Sequence, residues 1–67
     1  MYYNKGYIYV SFDELQKLNK SVLSLLIPNQ RDQVAENLVK HYNSQYDTSY
    51  KYVNVYGIRD GHVIIKV

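Results

Sequence analysis

The fold of this chain is decided by its last 18 residues, "YKYVNVYGIRDGHVIIKV", residues 50–67. Two segments rich in tyrosine and β-branched residues flank Asp60-Gly61, and an Asp-Gly pair in such a place is the strongest short hairpin signal. A two-residue turn at this point pairs Arg59 with His62. The stretch therefore predicts a C-terminal β-hairpin.

The register of this hairpin requires one extra residue in its first strand. Without it, Val53 and Val55 point away from the other β-branched residues. A β-bulge at Tyr56-Gly57 removes the conflict, and glycine commonly marks such bulges. One face of the hairpin then carries Val53, Val55, Ile58, Val63, Ile65 and Val67. The opposite face carries Tyr50, Tyr52, Asn54, His62, Ile64 and Lys66.

The N-terminal segment "GYIYV" (6–10) alternates between aliphatic and tyrosine side chains. This alternation predicts a strand over about residues 3–10, with Tyr7 and Tyr9 on one face. We expect this strand to pair with the last strand of the hairpin. The sequence leaves its direction open.

A capping box follows directly in "SFDE" (11–14), in which Ser11 caps the backbone N–H of Glu14. It predicts a helix that continues to Ile27, where Pro28 ends it. Its apolar stripe consists of Phe12, Leu15, Leu18, Val22, Leu25 and Leu26.

The second predicted helix begins at Asn29, a good N-cap residue, and frays near 44–46, where "NSQYDTS" favours turns. Its apolar face consists of Val34, Ala35, Leu38, Val39 and Tyr42. The order β-α-α-β-β then predicts one α+β domain over residues 1–67. We expect a two-layer sandwich, with two helices on one face of a three-stranded, largely antiparallel sheet.

The composition excludes several kinds of chemistry. The chain has no cysteine, and its two histidines, His41 and His62, show no metal-ligand spacing. No serine has an evident base partner, so we expect no catalytic residues, metal or cofactor, and hence no enzyme. The net charge of +2 is too small to require nucleic acid.

The sequence also favours a location and an origin. No segment has the length of a signal peptide core or a membrane span, so we expect a cytoplasmic protein that does not contact a membrane. The abundance of asparagine, lysine, tyrosine and isoleucine is typical of AT-rich genomes and indicates a low-GC bacterium or its phage.

The predicted sheet leaves one face uncovered, and this face is rich in the chain's nine tyrosines. Contiguous patches of this kind usually mark interaction sites, and tyrosine is enriched at interface centres. The predicted anchors are Tyr7, Tyr9, Tyr50, Tyr52 and Ile64, and the predicted orienting charges are Lys51, Arg59 and Lys66. The favoured function is a small protein-binding regulator or inhibitor, as phages and mobile elements often carry, that occludes its partner.

Other interpretations of this face stay open. Tyrosine favours strands, and cross-strand pairs stabilise a sheet by roughly 0.2–1 kcal/mol each, so the face could be structural only. A second copy of the chain could bind there, or along the terminal strand if that strand lies at an edge. Aromatic side chains on a sheet can also stack the bases of single-stranded RNA or DNA. A winged-helix-like DNA-binding protein, with residues 30–46 as the recognition helix, is a further alternative.

Overall fold

The computed structural model describes residues 1–67 and has α+β architecture, as the sequence predicts. Its elements are β1 (Tyr2–Asn4), β2 (Tyr7–Ser11), α1 (Phe12–Lys17), a 3₁₀ turn (Val22–Leu25), α2 (Pro28–Tyr46), β3 (Asn54–Arg59) and β4 (His62–Lys66). The strands form one antiparallel sheet in the order β1-β2-β4-β3. The sheet thus has four strands where the sequence predicted three.

The additional strand arises because the N-terminal segment folds into a hairpin of its own. Lys5 and Gly6 have φ angles of 51° and 93°, and they form a two-residue turn between Asn4 and Tyr7. Positive φ at both central residues matches the twist of the flanking strands, and glycine adopts it without a steric penalty. The prediction of one continuous strand over residues 3–10 was therefore wrong.

The C-terminal hairpin has the predicted turn, register and bulge. Arg59 pairs with His62 across Asp60-Gly61, which has positive φ at both positions. The ladder between β3 and β4 shifts by one residue between Val55 and Gly57. Strand β2 pairs with β4 in an antiparallel direction, so β4 lies inside the sheet and offers no free edge. This pairing confirms the expected neighbour of the N-terminal strand.

The first helix is much shorter than predicted. The Ser11 hydroxyl accepts a hydrogen bond from the Glu14 N–H at 3.1 Å, as expected, but α1 ends at Lys17. Asn19 adopts a left-handed conformation with φ of 57°, which interrupts the helix. Ser21 then caps the 3₁₀ turn through its own side chain, at 3.1 Å from the Leu23 N–H. Such local side-chain bonds compete with continued helix.

Helix α2 begins at Pro28, one residue before the predicted cap. Ile27 is the N-cap and makes no side-chain capping bond, while proline occupies the first helical position, where no N–H donor is needed. The helix ends at Tyr46, followed by Asp47 in the left-handed conformation. The prediction of Asn29 as the cap was wrong, and the predicted end was right.

Both helices pack on one face of the sheet. Four alternate residues of β2 and β4 meet Leu15 of α1, Leu25 and the buried side of α2 in a single core. The core consists of Ile8, Val10, Leu15, Leu25, Ala35, Leu38, Val39, Tyr42, Val63 and Ile65. Val55 packs against it. Ile58 lies opposite core-facing Val63, on the predicted face, but is 37% exposed because β3 is an edge strand. Val53 precedes β3 and is 55% exposed, so its predicted place on the core face was wrong.

Candidate functional site

The other face of the sheet has no helix over it, and we call it the open face. Its residues come from alternate positions of the central strands β2 and β4 and from the edge strands β1 and β3. Between the central strands, Tyr7 lies opposite Lys66 and Tyr9 lies opposite Ile64. The open face comprises Tyr2, Tyr7, Tyr9, Tyr56, Arg59, His62, Ile64 and Lys66. Five of these are residues that the sequence predicted as partner-binding: Tyr7, Tyr9, Arg59, Ile64 and Lys66.

Two of the tyrosines form a stacked pair at one side of the open face. The rings of Tyr2 and Tyr9, which are cross-strand partners, have centroids 4.7 Å apart and planes within 2° of parallel. His62 lies edge-on to both rings, at 6.1 and 6.5 Å. Aromatic pairs of this kind stabilise by about 0.5–1.5 kcal/mol beyond the area they bury. The pair is therefore held in a defined position before any partner arrives.

The other two tyrosines meet across strand β4. The bulge inserts Tyr56 into β3, and its ring lies 5.1 Å from that of Tyr7, which belongs to β2. The Lys66 Nζ lies 5.1 Å from the Tyr7 centroid, within the range of a cation–π interaction. The bulge thus supplies an aromatic side chain that an uninterrupted ladder would lack.

Ile64 forms the floor of the open face. It is only 6% exposed although no helix covers it, because the surrounding tyrosine rings shield it from water. The sequence placed Ile64 on this face as an exposed anchor; the position on the face is confirmed, but the expected exposure was wrong. An open concavity of about 480 Å³ remains above Ile64, bordered by the four rings, His62, Arg59 and Asp60.

The tyrosines of the open face make no hydrogen bond within the protein through their hydroxyl groups, whereas Tyr46 and Tyr52 donate to Met1 and Asp32. Four phenolic O–H groups therefore stay available to water or to a partner. His62 Nδ1–H donates to the Asp60 carbonyl at 2.9 Å, since a carbonyl oxygen can only accept. This bond leaves Nε2 without a partner in the protein.

Three predicted site residues lie on the helix side instead. The Asn43 amide holds Tyr50 by donating to its carbonyl at 2.8 Å and accepting from its N–H at 3.0 Å. The Tyr52 hydroxyl donates to Asp32 of α2 at 2.6 Å, and Lys51 borders a groove against α2. The placement of Tyr50 and Tyr52 on the open face, and of Lys51 near its margin, was wrong, because β3 begins only at Asn54 and α2 holds the preceding residues.

Four more tyrosines form what we call the helix-side cluster: Tyr3, Tyr42, Tyr46 and Tyr50. The Tyr3 and Tyr50 rings stack at 4.6 Å, and Tyr42 lies 4.6 Å from Tyr46 and 6.0 Å from Tyr50. Desolvation, followed by the neighbouring Tyr3 and Tyr42 phenols, raises the pKa of Tyr50 above its usual value. Within this cluster Tyr42 belongs to the core and Tyr50 packs against it, while Tyr3 and Tyr46 lie outside them and remain 40% and 48% exposed.

The ninth tyrosine, Tyr52, is the group with the largest pKa displacement. Desolvation, and then its hydrogen bond to the Asp32 carboxylate, raise the pKa of Tyr52 to about 12. Both effects favour the neutral phenol, which can donate to the carboxylate. The bond ties the segment before β3 to the first turns of α2.

Sequence reasoning missed two residues of the open face, Tyr2 and Tyr56. Tyr2 was missed because the turn at Lys5-Gly6 was not recognised, although a glycine after Asn-Lys is a turn signal. Tyr56 was placed in the bulge, but the direction of its side chain does not follow from the sequence. No group of three or more histidine, aspartate or glutamate side chains could hold a metal ion.

The molecule contains no helix with the length and apolar character needed to span a bilayer. No protein-family model, curated protein or solved structure matches this chain.

Proposed function

We propose that this chain is a small, non-enzymatic protein-binding module that covers a surface of a partner protein with its open face. The observation that carries the proposal is a concavity of about 480 Å³ bordered by four tyrosine rings on a sheet face that no helix covers. Uncovered aromatic patches around a concavity are typical of interaction sites. Regulation or inhibition by occlusion is the corresponding mode of action.

The organisation of the rings supports this function. Tyr2 and Tyr56 are 50% and 67% exposed, so a large aromatic area is available to a partner. Stacking already restricts the Tyr2 and Tyr9 rings, and contacts with Tyr56 and Lys66 restrict Tyr7. A restricted side chain loses less entropy when it binds. Each ring also offers a phenolic O–H that no group of the protein engages, which suits the mixed polar and apolar contacts of an interface.

Binding of single-stranded nucleic acid is less well supported. Tyr2 and Tyr9 stack on each other, so each has one ring face fewer for a base. Arg59 borders the concavity together with Asp60, and Lys66 lies beyond the Tyr7 ring, whereas salt-sensitive phosphate binding generally requires more positive charge. The open face thus favours a protein as the ligand.

A winged-helix mode of DNA binding is also disfavoured by the charges of α2. Arg31 lies 3.8 Å from Asp32, and Lys40 lies 3.4 Å from Glu36. These pairs leave the helix without the uncompensated basic surface that a recognition helix presents to DNA.

Site-specific photo-crosslinking in native cells tests the proposal. A benzophenone amino acid replaces Tyr56, which is exposed, and in a matched control it replaces Asn37, which is exposed on α2. We expect the Tyr56 position to give a protein adduct of discrete mass, and unlabelled parent chain to compete with it. Tyr56→Ala chain should compete less well.

Three results would contradict the proposal: equal adducts at both positions, no adduct at Tyr56, or an adduct that nuclease removes. An adduct at twice the mass of the chain would identify a second copy as the partner protein.

A further inference from the structure

We infer that the open face recognises an acidic, extended segment of its partner, with one carboxylate near Arg59, a second near Lys66 beside the concavity, and an apolar side chain between them. This inference rests on the proposed protein-binding function and adds the chemical class of the partner. It follows from the distribution of charge over the fold and from the positions of the cations.

The charges of the chain are unevenly divided between its two layers. Residues 12–53, which form the helices and their connections, contain five basic and five acidic residues. Residues 2–11 and 54–66, which form the strands and their turns, contain three basic residues and one acidic residue. The net charge of +2 is therefore carried by the strands and their turns, and on the open face Arg59 and Lys66 outnumber Asp60 by one positive charge, which favours anionic groups.

The two cations of the open face lie toward opposite ends of β4: Arg59 borders the concavity, and Lys66 lies beside it, over the Tyr7 ring. Arg59 is the cross-strand partner of His62, at the start of β4, and Lys66 is at the end of β4. Four residues along a strand span roughly 13 Å. The two basic positions are thus separated by about the length of five residues of an extended peptide.

The region between the cations is apolar at its base. Ile64 lies midway along β4, and the Tyr7, Tyr9 and Tyr56 rings surround it. In an extended peptide, residues 1, 3 and 5 point to the same side. A segment with acidic residues at positions 1 and 5 and an aliphatic residue at position 3 therefore complements both the charges and the apolar floor.

The same charges argue against a second copy of the chain as the occupant. Two open faces placed together would bring Arg59 and Lys66 of each copy against a surface that is also positive. Asp60 is the one acidic residue of the strands and their turns, and it is already 4.0 Å from Arg59. Like charges juxtaposed in an interface suppress association, so the open face fits a different, acidic protein.

Peptide titrations followed by amide NMR shifts test the inference. The probe is Glu-Thr-Val-Thr-Glu, and the matched controls carry glutamine or lysine in place of both glutamates. We expect the acidic peptide to shift the His62, Ile64 and Lys66 amides while leaving α2 unchanged. Its Kd should be at least about tenfold lower than that of the lysine peptide at low ionic strength, and the difference should shrink with salt.

A double charge reversal, Arg59→Glu with Lys66→Glu, provides the matched protein control. The variant should prefer the lysine peptide to the glutamate peptide, the reverse of the parent chain. Because an unfolded chain would gain no binding, tighter binding of the lysine peptide shows that the variant is folded. Equal affinity for the glutamate and glutamine peptides, or no shift by the acidic peptide at millimolar concentration, would overturn the inference.

The experiment also separates this inference from the function on which it rests. A crosslink at Tyr56 without any preference for the acidic peptide would refute the acidic partner and keep protein binding. Binding of a twelve-residue oligothymidylate at the same amides, without binding of the acidic peptide, would assign the positive face to nucleic acid and overturn the inference.

Discussion

The open face and the helix-side cluster contain four tyrosines each, with similar ring geometry but different surroundings. Neighbouring centroids are 4.7 and 5.1 Å apart on the open face and 4.6 to 6.0 Å apart in the helix-side cluster. In the helix-side cluster, Tyr42 is part of the core and only 8% exposed, and Tyr50 packs against the core. The open-face rings shield a single isoleucine and present their outer side to water. Stacking alone therefore does not distinguish a structural tyrosine from a candidate binding residue.

Hydrogen bonds separate the two sides of the sheet as well. On the helix side, the Asn43 amide holds the backbone of Tyr50, Tyr52 donates to Asp32, and Tyr46 donates to Met1. The phenols of the open face have no partner within the protein, and the Tyr3 and Tyr42 hydroxyls make no such bond either. Tyrosine hydrogen bonds to other elements therefore occur only on the helix side, whereas the unbonded and partly exposed rings of the open face retain their capacity to bind.

The largest expected effect comes from the helix-side cluster. Tyr42→Ala removes a buried ring from the core, and substitutions of this kind cost about 3–5 kcal/mol. A domain of this length has a free energy of unfolding of roughly 3–10 kcal/mol, so the variant should be largely unfolded or close to it. Urea unfolding followed by circular dichroism measures the effect. A decrease in the free energy of unfolding of less than about 1 kcal/mol would show that Tyr42 contributes no more to stability than an exposed tyrosine of the open face.

Two adjacent isoleucines of β4 provide the next test, because they point to opposite faces. Ile65→Ala should destabilise by about 2–5 kcal/mol, since it leaves a cavity in the core. Ile64→Ala should cost less, since the space it leaves lies beneath partly exposed rings and opens toward the concavity rather than into the closed core. Denaturant midpoints of the two variants give the comparison, and equal costs would mean that the open face is packed as rigidly as the core.

The hydrogen bond between Tyr52 and Asp32 should have a smaller effect that depends on pH. Tyr52→Phe should cost about 0.5–1.5 kcal/mol near neutral pH. The pKa of Tyr52 is raised to about 12 in the folded chain, against 10.0 as its reference value. Its contribution is therefore complete below pH 10 and is lost as the pH rises toward 12. Melting curves of parent and variant should converge over this window, and a constant difference would exclude this bond as the cause.

The smallest effect on stability is expected at Tyr56, where partner binding should change instead. Tyr56→Ala removes a ring that is 67% exposed and should alter the free energy of unfolding by no more than about 0.5 kcal/mol. Truncation of an interface anchor typically costs on the order of 2 kcal/mol in binding, which is roughly a thirtyfold rise in Kd. Calorimetry with the partner captured by crosslinking gives this value. Unchanged affinity would remove Tyr56 from the binding surface.

The sequence predicts the C-terminal hairpin well because its signals are local and agree with one another. Asp60-Gly61 favours a turn with positive φ at both positions. Val53 and Val55 can face the same side as Ile58 only if a bulge lies between Val55 and Ile58. The α+β class follows from this hairpin and the two amphipathic segments. No distant contact is needed for any of these inferences.

The errors occur where local patterns were equally compatible with a second conformation. The apolar spacing of residues 12–26 suits one long helix, but Asn19 and Ser21 favour a break, and the 3₁₀ turn still buries Leu25. The alternation of residues 50–58 suits one long strand, but Asn43, seven residues before Tyr50, holds the first part against α2. This contact joins separate elements, so no pattern within the strand could indicate it.

The bulge in β3 has an evolutionary consequence. Deleting the codon for Tyr56 would leave Val55 opposite Ile65 and Gly57 opposite Ile64, so the pairing of β3 with β4 would persist as an uninterrupted ladder. The domain would keep its core but lose the ring that borders the concavity beside Tyr7. The insertion or deletion of three nucleotides at this point would thus add or remove the Tyr56 ring of the open face during evolution, while the rest of the fold stayed the same.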